Sequence, residues 1–392
     1  MTDFGTTTLP YCSFIPAGGD SPRVGVGVGT AILDLSAAAP TIVPAHAALF
    51  SDGTLDALLA AGPAVWHEVR TAVAEHVAAA VESLGTIDAR EVRLQLPFTV
   101  ADYVDFYASE HHATNVGRIF RPDGDALTPN WKHLPIGYHG RSGTIVASDT
   151  PVRRPAGQRR NGDGSVEFGP SIRLDIEAEV GYVVGTPSTM GEPVAIDQFD
   201  QHVFGICVVN DWSARDIQAW EYVPLGPLLG KSFATSVSPW IVPLDALQQS
   251  RIAPPERDHD LMPYLRDREP WGLDLELQIE LNGTRVSKPT FSSMYWTGAQ
   301  MLAHMTINGA SLRTGDLFAS GTVSGAEPGE RGSLLELSWN GSEPLTLDDG
   351  TTRTYLLDGD TVTISAYAVS DSQPHQYLGA VTGTITAALT TE

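Results

Sequence analysis

Residues 172–180 read IRLDIEAEV, an alternation of apolar and acidic side chains that is typical of a β-strand. Successive side chains point to opposite faces of a strand, so Asp175, Glu177 and Glu179 share one face and the apolar residues share the other. Two interpretations are open. The acidic face meets solvent, or its carboxylates, spaced by about 7 Å along the strand, supply oxygen ligands to a hard cation.

A second stretch of the chain shows the same alternation. Residues 273–281 read LDLELQIEL, and the Asn-Gly pair at 282–283 predicts a β-hairpin that extends to residue 286. Taken alone, both acidic stretches are predicted to be strands with one solvated face, because alternation does not distinguish them.

The charge balance restricts the classes of partner. The 392 residues include 47 acidic and 24 basic side chains, which gives a net charge of −23. A protein that binds duplex nucleic acid needs a basic surface, and an anionic membrane would repel this chain. We therefore expect no nucleic-acid or membrane partner, and no apolar run reaches the length of a membrane span. Any anionic substrate requires local arginine or lysine, and the only lysines are Lys132, Lys231 and Lys288.

The cysteine content favours a reducing compartment. Cys12 and Cys207 are the only cysteines, too few for a disulfide framework or a cysteine zinc cluster. The first residues, MTDFGTTTLP, lack the basic and apolar regions of a secretory signal. These features predict a cytoplasmic protein.

The hydrophobic pattern predicts a mainly β (α+β) protein with two domains. Residues 23–35, RVGVGVGTAILDL, alternate like strands of a small barrel, and residues 52–84 follow a helical pattern. Residues 85–100 are predicted to form a strand and a linker. We place the domain boundary near Pro97, which gives domains of 1–97 and 98–392. The apolar positions of the predicted helix are Trp66, Val69, Val73, Val77 and Val81.

The larger domain is predicted to consist mostly of short strands. Residues 332–369 carry several of them, Glu336 included, separated by Gly and Asp turns. Helices are expected only around 211–221 and 293–305. Residues 159–170 are predicted to form a loop, and this loop and the insert after Arg251 carry none of the motifs described below.

One segment concentrates groups suited to acid–base chemistry. Residues 105–121 read DFYASEHHATNVGRIFR and place an acid, a phenol, two histidines and an arginine close together. Histidine titrates near neutral pH, which suits a general base. Adjacent histidines are also common on surfaces.

Another segment, 208–232, reads VVNDWSARDIQAWEYVPLGPLLGKS. The spacing of Asp211, Arg215 and Gln218 by four and three residues predicts one shared helix face, and a structural Asp211–Arg215 ion pair is the simpler interpretation. GPLLGKS is no phosphate-binding loop, because only three residues separate its glycines where that motif requires four.

Long motifs of this chain together resemble the fumarylacetoacetate hydrolase family, of the fumarylacetoacetase type. They are DFYASEHHATNVG, PNWKHLPIGYHGR, DIEAEVG, NDWSARDIQAWEYVPLGPLLGKSF, and SGTVSG followed by LLELSW. They occur in the family's order, and the match extends over nearly the whole chain, the Gly-rich N-terminal region included. The resemblance implies a small N-terminal SH3-like β-barrel domain, a larger β-rich catalytic domain and a homodimer. It also implies hydrolysis of 4-fumarylacetoacetate to fumarate and acetoacetate, the last step of tyrosine and phenylalanine catabolism.

The resemblance also assigns roles to residues. It implies that Ca²⁺ or Mg²⁺ is bound by Asp105, Glu177, Glu179 and Asp211, and that a second ion uses Asp211, Thr235 and the backbone of Lys231. The catalytic groups that it implies are a base, His112, its orienting acid, Glu336, and a charge-stabilising set of Arg215, Gln218 and Lys231. The substrate contacts that it implies are Tyr107, Arg121, Tyr138, Gln218, Tyr222 and Thr322.

Asp175 receives no ligand role from the resemblance. We therefore expect it to be a bystander or to lie behind the ligands, and to tolerate replacement by Asn better than Glu179 tolerates Gln.

Two other functions remain open. The same fold could perform another reaction, such as acylpyruvate hydrolysis, oxaloacetate decarboxylation, or a hydratase or isomerase step. A non-catalytic Ca²⁺-binding β-protein would explain the carboxylates but would leave His112, Arg215 and Lys231 without a role.

Overall fold

The computed structural model describes residues 3–79, 85–369 and 375–389. The N-terminal part is built around a five-stranded antiparallel sheet with strand order β4-β3-β2-β1-β5. Its strands are β1 (Tyr11–Pro16), β2 (Arg23–Val28), β3 (Ala31–Asp34), β4 (Ile87–Asp88) and β5 (Val92–Gln95). The small β-unit predicted for this region is confirmed, and residues 85–100 return to it as predicted.

Three helices cover this sheet. They are α1 (Leu35–Ile42), α2 (Asp56–Ala60) and α3 (Pro63–Ala79). The helical pattern predicted for 52–84 is confirmed as α2 and α3, and the α3 residues Trp66, Val69, Val73 and Val77 are buried. Val81 lies outside the described residues.

The rest of the chain is rich in strands and carries five further helices among the described residues. The strands up to residue 237 are β6 (Tyr103–Phe106), β7 (Gly137–His139), β8 (Ile145–Ala147), β9 (Val152–Arg153), β10 (Ala156–Arg160), β11 (Val166–Pro170), β12 (Leu174–Asp175), β13 (Ala178–Val184), β14 (Val203–Asp211), β15 (Ser213–Ala214) and β16 (Thr235–Val237). The later strands are β17 (Val242–Pro243), β18 (Arg251–Ile252), β19 (Gly272–Leu273), β20 (Leu275–Leu281), β21 (Thr284–Ser287), β22 (Leu317–Ala319), β23 (Leu345–Thr346), β24 (Thr352–Arg353), β25 (Thr361–Ala368) and β26 (Gln376–Thr386). The helices are α4 (Glu110–Phe120), α5 (Phe199–His202), α6 (Arg215–Glu221), α7 (Gly298–Thr306) and α8 (Leu334–Leu337).

An eight-stranded mixed sheet forms the centre of the molecule. Its order is β7-β6-β22-β13-β14-β16-β8, with β17 paired to β14. Strand periodicity divides this sheet into two faces. Tyr182 on β13 and Val208 on β14 join the main core, whereas Val183 and Val209 join a second core together with α1–α3. Both faces of the central strands are therefore covered by protein.

A five-stranded sheet, ordered β21-β20-β25-β26-β9, packs against the main core. The hairpin β20–β21 turns at Asn282 and Gly283, whose φ angles of 52° and 81° fit the two-residue turn that Asn-Gly favours. The hairpin predicted for 273–286 is confirmed.

The helices of the larger part were predicted incompletely. The two expected helices are present as α6 and α7, although Asp211 ends strand β14 and does not lie on α6. Helix α4 was not predicted from the sequence. Its starting signal was present, since the Ser109 hydroxyl accepts a hydrogen bond from the His112 N–H at 3.2 Å as an N-cap does.

The strand predicted around Glu336 is wrong. Residues Leu334–Leu337 form one helical turn, and the Ser333 hydroxyl accepts from the Glu336 N–H at 3.3 Å. All four residues of the turn are buried. The leucines around Glu336 are therefore buried because the helical turn is packed on every side, and not because they alternate along a strand. The strands expected between 345 and 369 are present as β23, β24 and β25.

Residues 159–170 and 172–180 also differ from expectation. The first stretch belongs to the antiparallel hairpin β10–β11. The second is split, with Ile176 and Glu177 between β12 and β13. Leu174, Ile176, Ala178 and Val180 join the main core as alternation predicts, whereas Ile172 is exposed. The acids of this stretch are buried too, at 0–5% exposure, so the solvated-face interpretation is wrong.

The N-terminal part packs directly on the central sheet. Tyr11 forms an antiparallel bridge with Ile241, with N···O distances of 2.8 Å in both directions. Phe204 and Trp66 meet edge to face with ring centroids 5.4 Å apart. Within the described ranges, no helix has the length and apolarity required to cross a membrane.

Candidate active site

Four buried carboxylates meet at one end of the central sheet. Asp105 lies on β6, Glu179 on β13, and Asp211 at the end of β14, while Glu177 immediately precedes β13. One oxygen of each lies within 4.8 Å of the others. The four acids that the resemblance implied as ligands are thus brought together from distant parts of the sequence.

Strand periodicity explains why the acids converge. Asp105 follows Tyr103 by two residues on β6, and Asp211 follows Val209 by two residues on β14, so each acid shares a face with that apolar residue. Tyr103 and Val209 both belong to the core shared with the N-terminal part. The same face of the sheet is therefore apolar at one end and acidic at the other. Gly181 belongs to this face, where a Cβ atom would lie 2.8 Å from a Val209 methyl carbon.

The electrostatics of the cluster fit a cation. Burial raises the pKa values of Asp105 and Glu179 well above their usual range, and repulsion from neighbouring carboxylates adds to the effect. Asp105 Oδ1 and Glu179 Oε1 are buried and have no hydrogen-bond partner within the described part of the chain. Unpaired carboxylate oxygens are the ligands that hard divalent cations prefer.

The other Glu179 oxygen has a backbone partner. The Gly321 N–H donates to Glu179 Oε2 at 3.2 Å. Gly321 adopts a φ of +74°, and a Cβ atom there would lie 2.1 Å from the Phe106 carbonyl oxygen. Only glycine fits this position, which fixes the backbone donor next to the cluster.

Lys231 places a positive charge inside the cluster. Its ammonium contacts the Glu177 carboxylate and lies 2.8 Å from Asp211 Oδ2. Burial acts to raise the pKa of Glu177, but the Lys231 and Arg215 cations outweigh it and lower that pKa. Asp211 also accepts hydrogen bonds from the Thr235 hydroxyl at 2.6 Å and from the Tyr138 hydroxyl at 3.2 Å.

Arg215 does not pair with Asp211, so the structural ion pair predicted from their four-residue spacing is wrong. Its Nε and Nη1 atoms lie 2.7 Å from Asp175 and Glu177 respectively, because Arg215 starts α6 whereas Asp211 ends a strand. Nη1 also donates to Gln218 Oε1 at 3.2 Å. Nη2 is buried and has no partner among the residues described here.

His112 and Glu336 form a buried pair. His112 Nδ1 lies 2.7 Å from Glu336 Oε2, and both side chains are at most 3% exposed. Burial acts to raise the pKa of Glu336, but the interactions with His112 and nearby donors outweigh it and lower the pKa. The imidazole is thereby held through Nδ1, and Nε2 has no hydrogen-bond partner among the residues that the structure describes.

Three residues that support this pair were missed from the sequence. The Glu336 carboxylate accepts from Asn115 Nδ2 at 2.9 Å and from the hydroxyls of Ser324 and Ser333 at 3.0 and 2.8 Å. Two signals were available. Asn115 follows His112 by three residues, one helical turn, and Ser333 precedes Glu336 in the Ser-x-x-Glu pattern of a helix start.

A cavity of roughly 630 Å³ adjoins both groups. It is lined by Asp105 and Glu177 of the cluster and by the predicted side chains His112, Arg215, Gln218, Lys231, Tyr107, Arg121, Tyr138, Tyr222 and Thr322. Glu336 lies behind His112, and its neighbour Leu335 reaches the wall.

The predicted substrate contacts differ in exposure. The Thr322 hydroxyl is buried without a hydrogen-bond partner among the described residues, and the partly buried Tyr107 ring meets the His112 ring edge to face at 5.3 Å between centroids. Tyr222 is half exposed, and Arg121 is exposed and donates to the Ala126 carbonyl at 2.6 Å. The inner contacts are therefore fixed in place and the outer ones form the rim of the cavity.

A second cavity of roughly 400 Å³ is lined by Asp211, Thr235 and residues 140–144, and it shares Tyr138 and Lys231 with the first. The residues implied for a second ion thus border this second cavity.

Comparison with known families agrees with this site. The family model described as fumarylacetoacetate (FAA) hydrolase C-terminal matches residues 102–386, and the one described as fumarylacetoacetase N-terminal matches residues 7–101. Fumarylacetoacetase of Homo sapiens is 44% identical over 390 residues, which cover 94% of this chain and 93% of that protein. Fumarylacetoacetase of Arabidopsis thaliana is 42% identical over 389 residues, which cover 94% and 92%. The chain belongs to the fumarylacetoacetate hydrolase family.

Solved structures share the fold. The fumarylacetoacetate hydrolase of Exiguobacterium antarcticum superposes with a TM-score of 0.56 at 17% identity, covering 97% of this chain and 99% of that one. The maleylpyruvate hydrolase of Sphingobium sp. SYK-6, in complex with manganese(II) and pyruvate, gives 0.54 at 16% identity, covering 97% and 100%. The predicted fold class, with its small N-terminal β-barrel-type part and its larger β-rich catalytic part, is confirmed.

Proposed function

We propose that this protein hydrolyses the carbon–carbon bond of 4-fumarylacetoacetate, with water, to fumarate and acetoacetate, the last step of tyrosine and phenylalanine catabolism. One observation carries the proposal: a histidine paired with a buried acid and a cluster of four carboxylates border the same cavity. Family membership and the fumarylacetoacetase relatives support the choice of substrate.

The carboxylate cluster suits a divalent cation, Ca²⁺ or Mg²⁺. Asp105, Glu177, Glu179 and Asp211 would hold it, and the unpartnered oxygens of Asp105 and Glu179 support this assignment. When bound, such an ion supplies Lewis-acid stabilisation of negative charge on a β-diketone. A second ion would lie beyond Asp211, near Thr235 and the backbone of Lys231.

His112 is the general base. Because its Nδ1 atom is hydrogen-bonded to Glu336, Nε2 is left to accept a proton from the attacking water. Glu336 maintains that tautomer and stabilises the imidazolium that forms, as the acid of a hydrolytic triad does. The surrounding hydroxyl and amide donors keep the carboxylate ionised.

Arg215, Gln218 and Lys231 stabilise the oxyanion. All three line the cavity, and Arg215 Nη2 is a buried donor that the described protein groups leave unused. Donors fixed in a buried site stabilise developing charge at little reorganisation cost. The substrate carboxylate would be held by Arg121 at the rim, and its carbonyl groups by Tyr107, Tyr138, Tyr222 and Thr322.

The assay that tests this proposal follows consumption of fumarylacetoacetate by the purified protein and quantifies both products. We expect equal amounts of fumarate and acetoacetate, loss of turnover with EDTA, and recovery with added Ca²⁺ or Mg²⁺. An undiminished rate after thorough chelation would exclude the metal role.

The same assay separates the other functions. Turnover of acylpyruvates or oxaloacetate without turnover of fumarylacetoacetate would assign a different reaction on this fold. Calcium binding without turnover of any of these compounds would indicate a non-catalytic protein.

The assembly and compartment complete the proposal. We propose a homodimer in the cytoplasm, with domains 1–97 and 98–392. Support comes from the family resemblance, from exposed apolar side chains such as Leu225 and Val223, and from two buried, unpaired cysteines. Light scattering on the purified chain measures the assembly, and a monomer at assay concentrations would contradict it.

A further inference from the structure

Asp175 is fully buried and lies outside the walls of the substrate cavity. It is 0% exposed on the short strand β12, which pairs with β15 in the register Asp175↔Ser213. A buried carboxylate is costly unless every oxygen finds donors. Of the two alternatives expected for this residue, the structure favours a position behind the proposed ligands, because its carboxylate accepts four hydrogen bonds, one of them from Arg215, which also contacts Glu177.

These bonds connect Asp175 to two separate parts of the site. Oδ2 accepts from Arg215 Nε at 2.7 Å. On the other side, the backbone N–H groups of Leu334 and Leu335 donate to Oδ1 and Oδ2 at 2.7 and 3.1 Å. The fourth donor is the neighbouring Ile176 N–H at 2.7 Å.

Each partner of Asp175 either has a proposed catalytic role itself or holds a residue that does. Arg215 is held at Nε by Asp175 and at Nη1 by Glu177, which leaves Nη2 as the donor available to substrate. Leu334 and Leu335 are the first residues of α8, the single turn that carries Glu336 and through it orients His112. Such a short helix has little intrinsic stability, so its position depends on external hydrogen bonds of this kind.

We propose that Asp175 is a positioning residue that fixes the Arg215 guanidinium and the Glu336–His112 pair at a set separation across the cavity. Arg215 would otherwise have Glu177 as its only carboxylate partner among the described residues, and α8 would lose the acceptor for its first N–H groups. This inference rests on the proposed function, because the two groups that it connects are the oxyanion donor and the base.

The variant Asp175→Asn tests the inference. The side chain keeps its size and one acceptor oxygen but loses the charge that holds Arg215. We expect kcat to fall by about 10- to 100-fold, while the calcium dissociation constant measured by calorimetry changes by a smaller factor than in Glu179→Gln, since Asp175 is not itself one of the four clustered carboxylates. In crystals of the variant, Arg215 Nε is expected to leave residue 175.

Asp360 offers a matched control. It is also a buried aspartate (3% exposed) that accepts from an arginine Nε, that of Arg353 at 2.9 Å, and from a backbone N–H, that of Leu357 at 2.7 Å. Asp360→Asn should lower the unfolding temperature, as Asp175→Asn does, but leave kcat within about twofold of the wild type. Equal kcat values for the two variants would overturn the inference.

A double-mutant cycle gives a second test. If Asp175 acts partly through Arg215, introducing Asp175→Asn into the Arg215→Ala variant should lower kcat by a smaller factor than it does in the wild type. The inference would be overturned if the losses in kcat were fully additive and if Arg215 and α8 were unmoved in crystals of Asp175→Asn. Asp175→Ser, which retains a hydroxyl acceptor, replaces the Asn variant if that variant does not fold.

The failures of the two proposals are distinguishable. If the wild type shows no turnover of any substrate tested, the proposed function fails. If the wild type is active and the Asp175 variants match the Asp360 control, the positioning role alone fails. If neither Asp175 variant folds, the carboxylate serves folding, and the positioning role is overturned as well.

Discussion

Residues 175–179 and 274–280 carry acids in the same alternating pattern, yet the two rows have different surroundings. Asp175, Glu177 and Glu179 are buried, and their partners are cations and backbone donors of a cavity wall. In the other row Glu280 is exposed, and Glu276 is buried against Lys288, with 2.6 Å between Glu276 Oε2 and Lys288 Nζ.

The difference comes from what the neighbouring strands contribute. Strand β13 lies between β22 and β14 with both faces covered, and β6 and β14 bring Asp105 and Asp211 to the same place. Strand β20 lies next to the edge strand β21. Lys288, which directly follows β21, forms an ion pair with Glu276, and Arg285 lies opposite Glu280 in the strand register. A local pattern thus produces an acidic face, and only the sheet order turns one such face into the proposed cation site.

The largest difference in calcium affinity and in turnover is expected between the variants Glu179→Gln and Glu280→Gln. Removing a charged ligand from a buried cluster should weaken calcium binding by about 100-fold or more, and turnover should fall with it. Glu280 faces solvent, so its variant should keep both properties within about twofold. Calorimetric calcium titration and kcat measurements check both variants.

Equal calcium affinity in the two variants would show that the acidic cluster is not the cation site. It would also remove the distinction between the two rows, since only one of them is expected to bind an ion.

His112→Ala tests whether the buried row belongs to an enzyme or to a cation-binding protein. Loss of a general base should lower kcat by about 10²- to 10⁴-fold, while the variant stays folded and its calcium affinity stays close to that of the wild type. The control is His111→Ala, which changes the adjacent, partly exposed histidine on the same helix.

We expect His111→Ala to retain the wild-type rate. Retention of full activity by His112→Ala would reject His112 as the base and would leave the cluster as a binding site alone.

The smallest effect of a substitution is expected at Glu276, in the acidic row of residues 274–280, and it concerns stability. Burial acts to raise the pKa of Glu276, but Lys288 and the Gln278 amide outweigh it and lower the pKa. The ionised form is therefore favoured in the folded state. Its stabilisation is present above the unfolded pKa of about 4.3 and is lost as the pH falls through the folded value.

Glu276→Gln should consequently cost at most about 1 kcal/mol at pH 7, because the Lys288 side chain is 50% exposed. The cost should shrink below about pH 4. Urea unfolding at several pH values measures this loss of unfolding free energy. A loss that becomes larger as the pH falls would contradict the lowered pKa of Glu276. Activity should not change.

Much of the fold follows from local sequence signals. The Asn-Gly hairpin, the N-terminal strands and helix α3 each have a pattern that their own residues determine. The ligand residues were located through long motifs and not through the alternation, which describes both acidic rows equally well.

The remaining features depend on contacts between distant segments. Helix α8 forms where Ser333 and Asp175 satisfy its first N–H groups, and Asp175 lies more than 150 residues earlier in the chain. The partner of Arg215 is likewise set by the position of β12 beside β15. Neither contact has a signature within a short window of sequence.

Within the part of the chain that the structure describes, the N-terminal region supplies no residue to the carboxylate cluster, yet it covers the apolar end of the sheet face that carries the acids. Residues of α1–α3 keep water away from Val183, Cys207 and Val209, which lie two to four residues along their strands from Glu179 and Asp211. The permittivity around the carboxylates is thereby lowered, which strengthens every charge interaction in the cluster. The N-terminal part therefore acts on the chemistry as a dielectric boundary, and variants that loosen its packing should weaken ion binding from a distance.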